Sequence, residues 1–285
     1  MKTLDTLVED IYSKLDALSQ GEPLSIDEKE LDATVDRIKD AIVSWSTPSE
    51  RNKNFSLRMS NIGKPSRQLW YEKRDQTASN LPSASTQIKF LYGHLLEEIV
   101  LMLVRMSGHV VTDEQKEAKV NGITGHMDSK IDGEVIDVKT ASKFAFSKFQ
   151  RGTLADDDPF GYIAQLAAYE ASEGTSNGGF LVINKESGEL CLHRPDELSK
   201  PNMIKHIDKV SSDVMLDSPP ERCYAPVPEG KKGNMKLPKG CFYCSYKFQC
   251  HADANNGEGL RSFKYSSGPT YLTKVVVAPK VDEIL

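Results

Sequence analysis

The stretch GHMDSKIDGEVIDVKT, residues 125–140, decides how this chain is read. Asp132-Gly133 sits between two alternating runs. Both central positions of a type I′ turn need positive φ, and Asp-Gly supplies them, so a tight hairpin is predicted. Ile131 then pairs with Glu134. Counting outward, Asp128 faces Asp137 and His126 faces Lys139. Residues two apart on a strand share a face, so Asp137 and Lys139 point one way, and Ile136 and Val138 point the other, into a core. Directly opposed carboxylates lie about 5 Å apart at Cβ and repel. A divalent cation between them would remove the repulsion. An ordinary charged strand face is the alternative.

The chain of 285 residues is long enough for one large domain, or one domain with appendages. A hydrophobic fraction of 39% and a charged fraction of 27% are those of a globular protein with a normal core. No 18-residue apolar run exists, so no membrane span is expected. The amphipathic, acidic start MKTLDTLVEDIYSK does not read as a secretory signal. Five cysteines, three of them crowded near the C-terminus, argue against a secreted disulfide framework and for a reducing cytoplasm. Net charge is −5. Residues 1–50 hold 12 acids and 5 bases, which leaves 29 acids and 31 bases for the remainder. The body is therefore mildly basic and compatible with phosphate contacts.

Leu4, Leu7, Val8, Ile11, Leu15 and Leu18 make one helical stripe over residues 3–19, ended by Gly21. Ser25 with Glu28 reads as a capping box for a second helix carrying Leu31, Val35, Ile38 and Ile42. Residues 76–87 read as a polar loop and residues 88–107 as a helix. Strands are expected near 109–120, 122–131 and 134–140. A helix follows near 159–173, with Asp158 as N-cap and Pro159 in the first turn. GGFLVIN and ELCLHR read as strands, and residues 199–216 as a helix. From 217 onward the chain is rich in Pro, Gly and Cys, which predicts an irregular tail held by something other than a core. The expected fold class is α/β: a mixed central β-sheet flanked by helices over 51–216, an N-terminal helical extension over 1–50, and a cysteine-rich tail with a C-terminal strand over 217–285.

Four motifs fall in order. GHLLEE places Glu97 four residues after Gly93, GHMD supplies Asp128, IDVK supplies Asp137 and Lys139, and QLAAYE sets Gln165 and Tyr169 on one helix face. This order and spacing resemble the PD-(D/E)XK nucleases. The similar branch holds RecB-type nuclease domains, lambda-type exonucleases and CRISPR-adaptation nucleases. It reads Gly-x-x-x-Glu/His, Gly-x-x-Asp, Asp-x-Lys and Gln-x-x-x-Tyr. The resemblance spans about residues 55–255 and implies a restriction-endonuclease-like core. It implies magnesium or manganese held by Glu97, Asp128, Asp137 and the Val138 carbonyl, and hard oxygen donors suit those ions. By the same resemblance Lys139 orients the attacking water or stabilises developing charge, and Gln165 and Tyr169 fix the substrate strand or the lysine. The activity implied is that of a metal-dependent DNA exonuclease, similar to bacteriophage-encoded enzymes of replication, recombination or host DNA degradation; the host cytoplasm would then be its place. A structure-selective endonuclease and a catalytically silent nucleic-acid-binding module are the alternatives. Glu98 reads as a solvent charge and His126 as a surface histidine.

Residues 57–72, LRMSNIGKPSRQLWYE, resemble the family's DNA-binding element. Ser60 would cap its helix, and the helix amides with Arg67 would hold a phosphate; a surface helix with Trp70 in the core is the alternative. Residues 143–152, KFAFSKFQRG, interleave Lys143, Lys148 and Arg151 with Phe144, Phe146 and Phe149. That pattern suits single-stranded DNA or DNA with free ends, and equally an amphipathic element whose phenylalanines are core. An oligomer, such as the ring of lambda-type exonucleases, is compatible with the resemblance. CFYCSYKFQC holds Cys241, Cys244 and Cys250 at a metal-ligand spacing. It resembles the C-terminal triplet of the iron–sulfur members. Those relatives draw a fourth cysteine from near the Ser/Arg element, but Gly63-Lys64-Pro65-Ser66-Arg67 contains none. Cys223 is the best substitute. The expectation is a 4Fe–4S cluster, or zinc, on Cys223, Cys241, Cys244 and Cys250, with unliganded buried thiols as the alternative. Cys191 reads as a small buried residue of a strand.

Overall fold

The computed structural model describes residues 2–47, 55–75 and 82–284. In chain order the longer helices are α1 (Leu7–Ser19), α2 (Glu28–Ser46), α3 (Ser66–Arg74), α4 (Ala84–Met106), α5 (Lys143–Gln150), α6 (Tyr162–Glu173) and α7 (Met203–Met215). The strands are β1 (Val111–Thr112), β2 (Glu117–Val120), β3 (Ile123–His126), β4 (Ser129–Ile131), β5 (Glu134–Ala141), β6 (Gly179–Asn184) and β7 (Leu190–His193). Beyond them come β8 (Val227–Glu229), β9 (Asn234–Lys236), β10 (Arg261–Tyr265), β11 (Gly268–Lys274) and β12 (Glu283–Ile284). The chain divides into two compact units. One comprises Met1–Gly63, Leu81–Asp156 and Gly161–Ile207, and the other Lys64–Asn80, Asp157–Phe160 and Asp208–Leu285.

The first unit is built on a mixed sheet in the order β1-β4-β5-β6-β7. β5 and β6 run parallel, and the other neighbours are antiparallel. The parallel register sets Asp137 beside Phe180 and Lys139 beside Val182. On the other face, Ile136, Val138 and Leu181 join one core with Leu4, Leu7 and Ile11 from the N-terminal segment and Val100, Leu101 and Val104 of α4. The alternation read from the sequence is thus the alternation of the sheet. α5 and α6 cover the face that carries Asp137; there Phe149 meets Phe180 edge-on, 5.5 Å apart.

Some local expectations shift. The Leu4–Ile11 stripe belongs to this core, whereas α2 turns Leu31, Val35 and Ile42 outward. The α2 cap is Asp27, whose carboxylate accepts from the Lys29 amide at 3.0 Å, rather than Ser25. Part of the expected polar loop, Ala84–Gln87, is already helical, capped by Ser83; residues 76–81 lie outside the described residues. α6 starts at Tyr162 rather than beside Asp158 and Pro159, because Gly161 takes a left-handed conformation with φ 74°. Gly161 also crosses Gly63 so closely that a Cβ on it would lie 2.2 Å from the Gly63 carbonyl carbon, so neither position has room for a side chain.

The second unit overturns the expectation of an irregular tail. β8 to β12 form an antiparallel sheet in the order β12-β10-β11-β9-β8, with Phe263 and Leu272 buried. Two asparagines add order where apolar residues are few. Buried Asn234 accepts from the amides of Val276 and Val277 and donates to the Val277 carbonyl. Asn255 donates to the Gly259 and Leu272 carbonyls and accepts from the Val275 amide. Among the described residues no helix is long and apolar enough to cross a membrane.

Candidate active site and cysteine cavity

The hairpin turn forms as the sequence dictates, with φ +52° at Asp132 and +92° at Gly133. Its ladder runs from Ile131↔Glu134 to Ser129↔Ile136 and stops. The strand expected over 122–131 is in fact two strands in two sheets. β3 pairs with β2, setting His126 against Glu117 rather than Lys139. The chain then crosses over through Met127, whose amide donates to the Lys116 carbonyl at 3.1 Å. Asp128 stands at this crossing. Where the ladder ends, its Oδ2 accepts the Val138 amide at 2.7 Å, so a side chain replaces the missing strand.

Glu97 reaches the same place from α4. Glu97, Asp128, Val138 and Lys139 line one open cleft. Burial, followed by the charges of Asp128, Glu98 and Asp137, holds the Glu97 carboxyl well above its ordinary range. Burial and then Asp137 do the same to Asp128. Burial opposes the charge on Lys139, but the Asp137 and Asp128 carboxylates outweigh it and keep the ammonium firmly protonated. Lys139 forms an ion pair with Asp137. The buried Asp137 Oδ2 is the oxygen in that ion pair. The Lys139 ammonium also lies 5.0 Å from the centre of the Tyr162 ring. Tyr162 was not among the sequence candidates, although it extends the Gln165/Tyr169 stripe by one turn toward the N-terminus.

Among the described residues, no three His, Cys, Asp or Glu side chains are gathered closely enough to hold a metal ion as they stand. Two acids instead take local partners: Glu97 accepts from Gln115 at 2.8 Å, and Asp128 from the Val138 amide. Asp137 takes the Lys139 ammonium as its ion-pair partner. Three hard-oxygen acids that repel one another, with one ammonium among them, nonetheless fit a small divalent cation in chemistry.

Gln165 and Tyr169 do share a helix face: the Gln165 amide donates to the Tyr169 hydroxyl at 3.2 Å. The pair is turned to the backbone rather than to Lys139, since the Tyr169 hydroxyl donates to the His126 carbonyl at 2.7 Å. Burial pushes the Tyr169 phenol up to about 12. His126 itself is exposed. Glu98, expected in solvent, is 8% exposed and accepts from Arg37 Nε at 2.9 Å. Its partner lies on α2, 61 residues away, beyond the reach of local pattern.

The expected DNA contacts scatter. Ser60 lies in an exposed turn and caps nothing; α3 begins at Ser66, after Pro65, whose fixed φ presets the helix. Phe146 and Phe149 are core residues, so the alternative reading holds for them. Phe144 is exposed, with the Lys148 ammonium 5.4 Å from its ring centre. Lys143 and Arg151 are exposed. Trp70 is partly covered, donates to the Leu216 carbonyl and stacks with Arg74; the buried residues of α3 are Leu69 and Tyr71. On the rim of the cleft, exposed Phe90 and Tyr92 stand with Lys89 and Lys185, residues that helical periodicity alone did not single out.

In the second unit, Cys223, Cys241, Cys244 and Cys250 line one cavity, together with Arg67, Arg222 and buried His251. Helical turns at Lys239–Phe242 and Lys247–Cys250 present Cys241 and Cys250, and the link between them carries Cys244. Burial, then the neighbouring sulfurs, pushes the Cys241 thiol up to about 12. Cys223 and Cys244 are raised as well, by burial first. Arg67 Nε donates to Cys250 Sγ at 3.1 Å. Cys191 sits half-buried in β7 of the first unit, its thiol pushed up to about 12 by burial.

No family model and no curated protein matches this chain. Among solved structures, it is similar to an alkaline exonuclease, LHK-Exo, from Laribacter hongkongensis, with 13% identity and a TM-score of 0.40, covering 62% of this chain and 92% of that one. It is similar to SSO0001 with 15% identity and a TM-score of 0.39, over 75% of this chain and 93% of that one. The LHK-Exo complex with dAMP matches with 14% identity and a TM-score of 0.34, over 62% and 87% of the two chains. At TM-scores this low these are partial likenesses, and no function passes from them to this chain.

Proposed function

We propose that the first unit is a metal-dependent deoxyribonuclease of the PD-(D/E)XK superfamily, acting as an exonuclease on DNA with free ends. The reading rests on one observation: Glu97, Asp128 and Lys139 open on one cleft, with buried Asp137 paired to that lysine. Three mutually repelling acids around one lysine are short of positive charge. Glu97, Asp128, Asp137 and the Val138 carbonyl would hold magnesium or manganese, which when bound neutralises phosphate oxygens and lowers the pKa of water. The remaining work falls to the chain. Lys139, kept protonated by its two acids, directs its N–H donors at the attacking water or at the charge that develops on the phosphate. The Asp128–Val138 hydrogen bond fixes the acid and the carbonyl together. Tyr169 and Gln165 hold the β3 end that delivers Asp128. Phe90, Tyr92 and Lys89 offer stacking and charge to an unpaired strand at the rim.

The second unit, in this reading, carries a four-thiolate site. The donor set is soft, and all four sulfurs line one cavity. Such a set suits a 4Fe–4S cluster or zinc.

Incubating the full chain with magnesium and either linear or covalently closed circular DNA tests the activity. Loss of linear DNA with circular DNA spared supports an exonuclease. Cutting of circular DNA supports the endonuclease alternative, and binding without hydrolysis supports the silent module.

A further inference from the structure

Arg67, which the sequence assigns to a phosphate, is held by a backbone carbonyl and a cysteine sulfur instead. Its Nη1 donates to the Pro220 carbonyl and its Nε donates to Cys250 Sγ at 3.1 Å. Its guanidinium lies 5.7 Å from the centre of the Tyr71 ring, which in turn stacks on Tyr246 with centroids 5.5 Å apart. Arg222 reaches the same cysteine: Nε and Nη2 donate to the Cys250 carbonyl at 3.2 and 2.9 Å, and an ion pair with Asp253 anchors it. Two guanidinium groups therefore border one sulfur-lined cavity, and both engage Cys250.

Formal charge explains the arrangement. Four thiolates around a divalent ion, or around a cluster core of charge 2+, leave a net charge of −2. Arg67 offsets part of it, and Arg222, whose charge is shared with Asp253, offsets less, whereas an uncompensated charge in a partly buried cavity is costly. Four neutral thiols would give Arg67 only a weak acceptor. We propose that Arg67 is a positioning residue of the thiolate site, setting Cys250 for ligation and supplying counter-charge. The inference rests on the reading of the cysteines as a metal or cluster site. The planar fork is what allows one side chain to bind Pro220 and Cys250 together; a lysine keeps the charge but not the fork.

The full chain and its Arg67→Ala and Arg67→Lys variants, purified without oxygen, are assayed for iron and zinc per chain. Circular dichroism checks the fold of each. The rate at which metal passes to a chelator is then followed. Arg67→Ala should release metal at least about tenfold faster than wild type, the range found for residues that orient metal ligands. Arg67→Lys should fall between, and it carries the test if Arg67→Ala does not fold. An Arg67→Ala chain that holds its metal as long as wild type, whatever its affinity for DNA, overturns the inference alone. A wild-type chain free of iron and zinc removes the cysteine reading and the inference with it.

Discussion

Tyr169 of α6 donates its buried hydroxyl to the carbonyl oxygen of His126, 2.7 Å away and two residues before Asp128. The helix thereby grips the chain just where it leaves one sheet for the other. Gly125 makes room for this grip: a Cβ there would lie 2.7 Å from Met59 Cβ and 3.1 Å from the Tyr169 ring. Replacing Tyr169 with Phe leaves the His126 carbonyl without this partner. Urea unfolding should then show a loss of about 1–3 kcal/mol, the cost of an unsatisfied buried polar group. An unchanged midpoint would show that the bond contributes nothing.

The buried pair Lys200–Glu170 offers a second test, away from the cleft. Their side chains are 5% and 4% exposed, and the same Glu170 oxygen accepts the Gly178 amide at 2.7 Å. Glu170→Ala strands the Gly178 amide and leaves Lys200 with the Ser176 carbonyl and Glu197, so the expected loss is about 1–3 kcal/mol. Replacing both residues with apolar ones should recover most of it. A single variant as stable as wild type would contradict this.

Gly93 sits inside α4 on the wall of the cleft, and a Cβ there would meet nothing within 4 Å. A mid-helix glycine costs about 0.5–1 kcal/mol relative to alanine. Gly93→Ala should raise the unfolding temperature and lower DNA hydrolysis, because the methyl group narrows the cleft without touching the fold. Higher stability with undiminished hydrolysis would mean that no substrate passes over this position.

The tail gives a fourth expectation. β10 and β11 are anchored by Phe263 and Leu272, whereas Cys241 and Cys250 sit on short helical turns and Cys244 on the link between them. In Cys244→Ser protein, amide exchange should quicken over residues 239–253 and stay slow over 261–274. Uniform exchange across both segments would show that the sheet depends on the cysteines.

Local chemistry was legible from sequence, and long-range partners were not. Asp132-Gly133 fixes its turn from within, and Ile136 and Val138 face the core as their alternation requires. The break at Met127–Asp128 was hidden, because the alternation continues through it and no Gly or Pro marks it. Only the competition of β2 and β5 for the same run divides it. Glu98 is buried because Arg37 of α2 reaches it, and no window of residues 90–105 contains that fact. Arg67 read as a phosphate ligand because arginine beside a helix start suits an anion, and the anion-like partner here is sulfur. The tail sheet was missed because strands of two to seven residues carry too few apolar positions for a period to show.

Asp137 is the buried acid that pairs with Lys139 beside the cleft. The most direct test measures magnesium-dependent release of nucleotides from end-labelled linear DNA by wild type and by Asp137→Asn, with DNA binding and unfolding followed in parallel. Wild type should release label, and Asp137→Asn should lose hydrolysis by orders of magnitude while remaining folded and DNA-bound, because the amide keeps the shape and removes the charge. An Asp137→Asn chain that hydrolyses DNA at the wild-type rate would contradict the account.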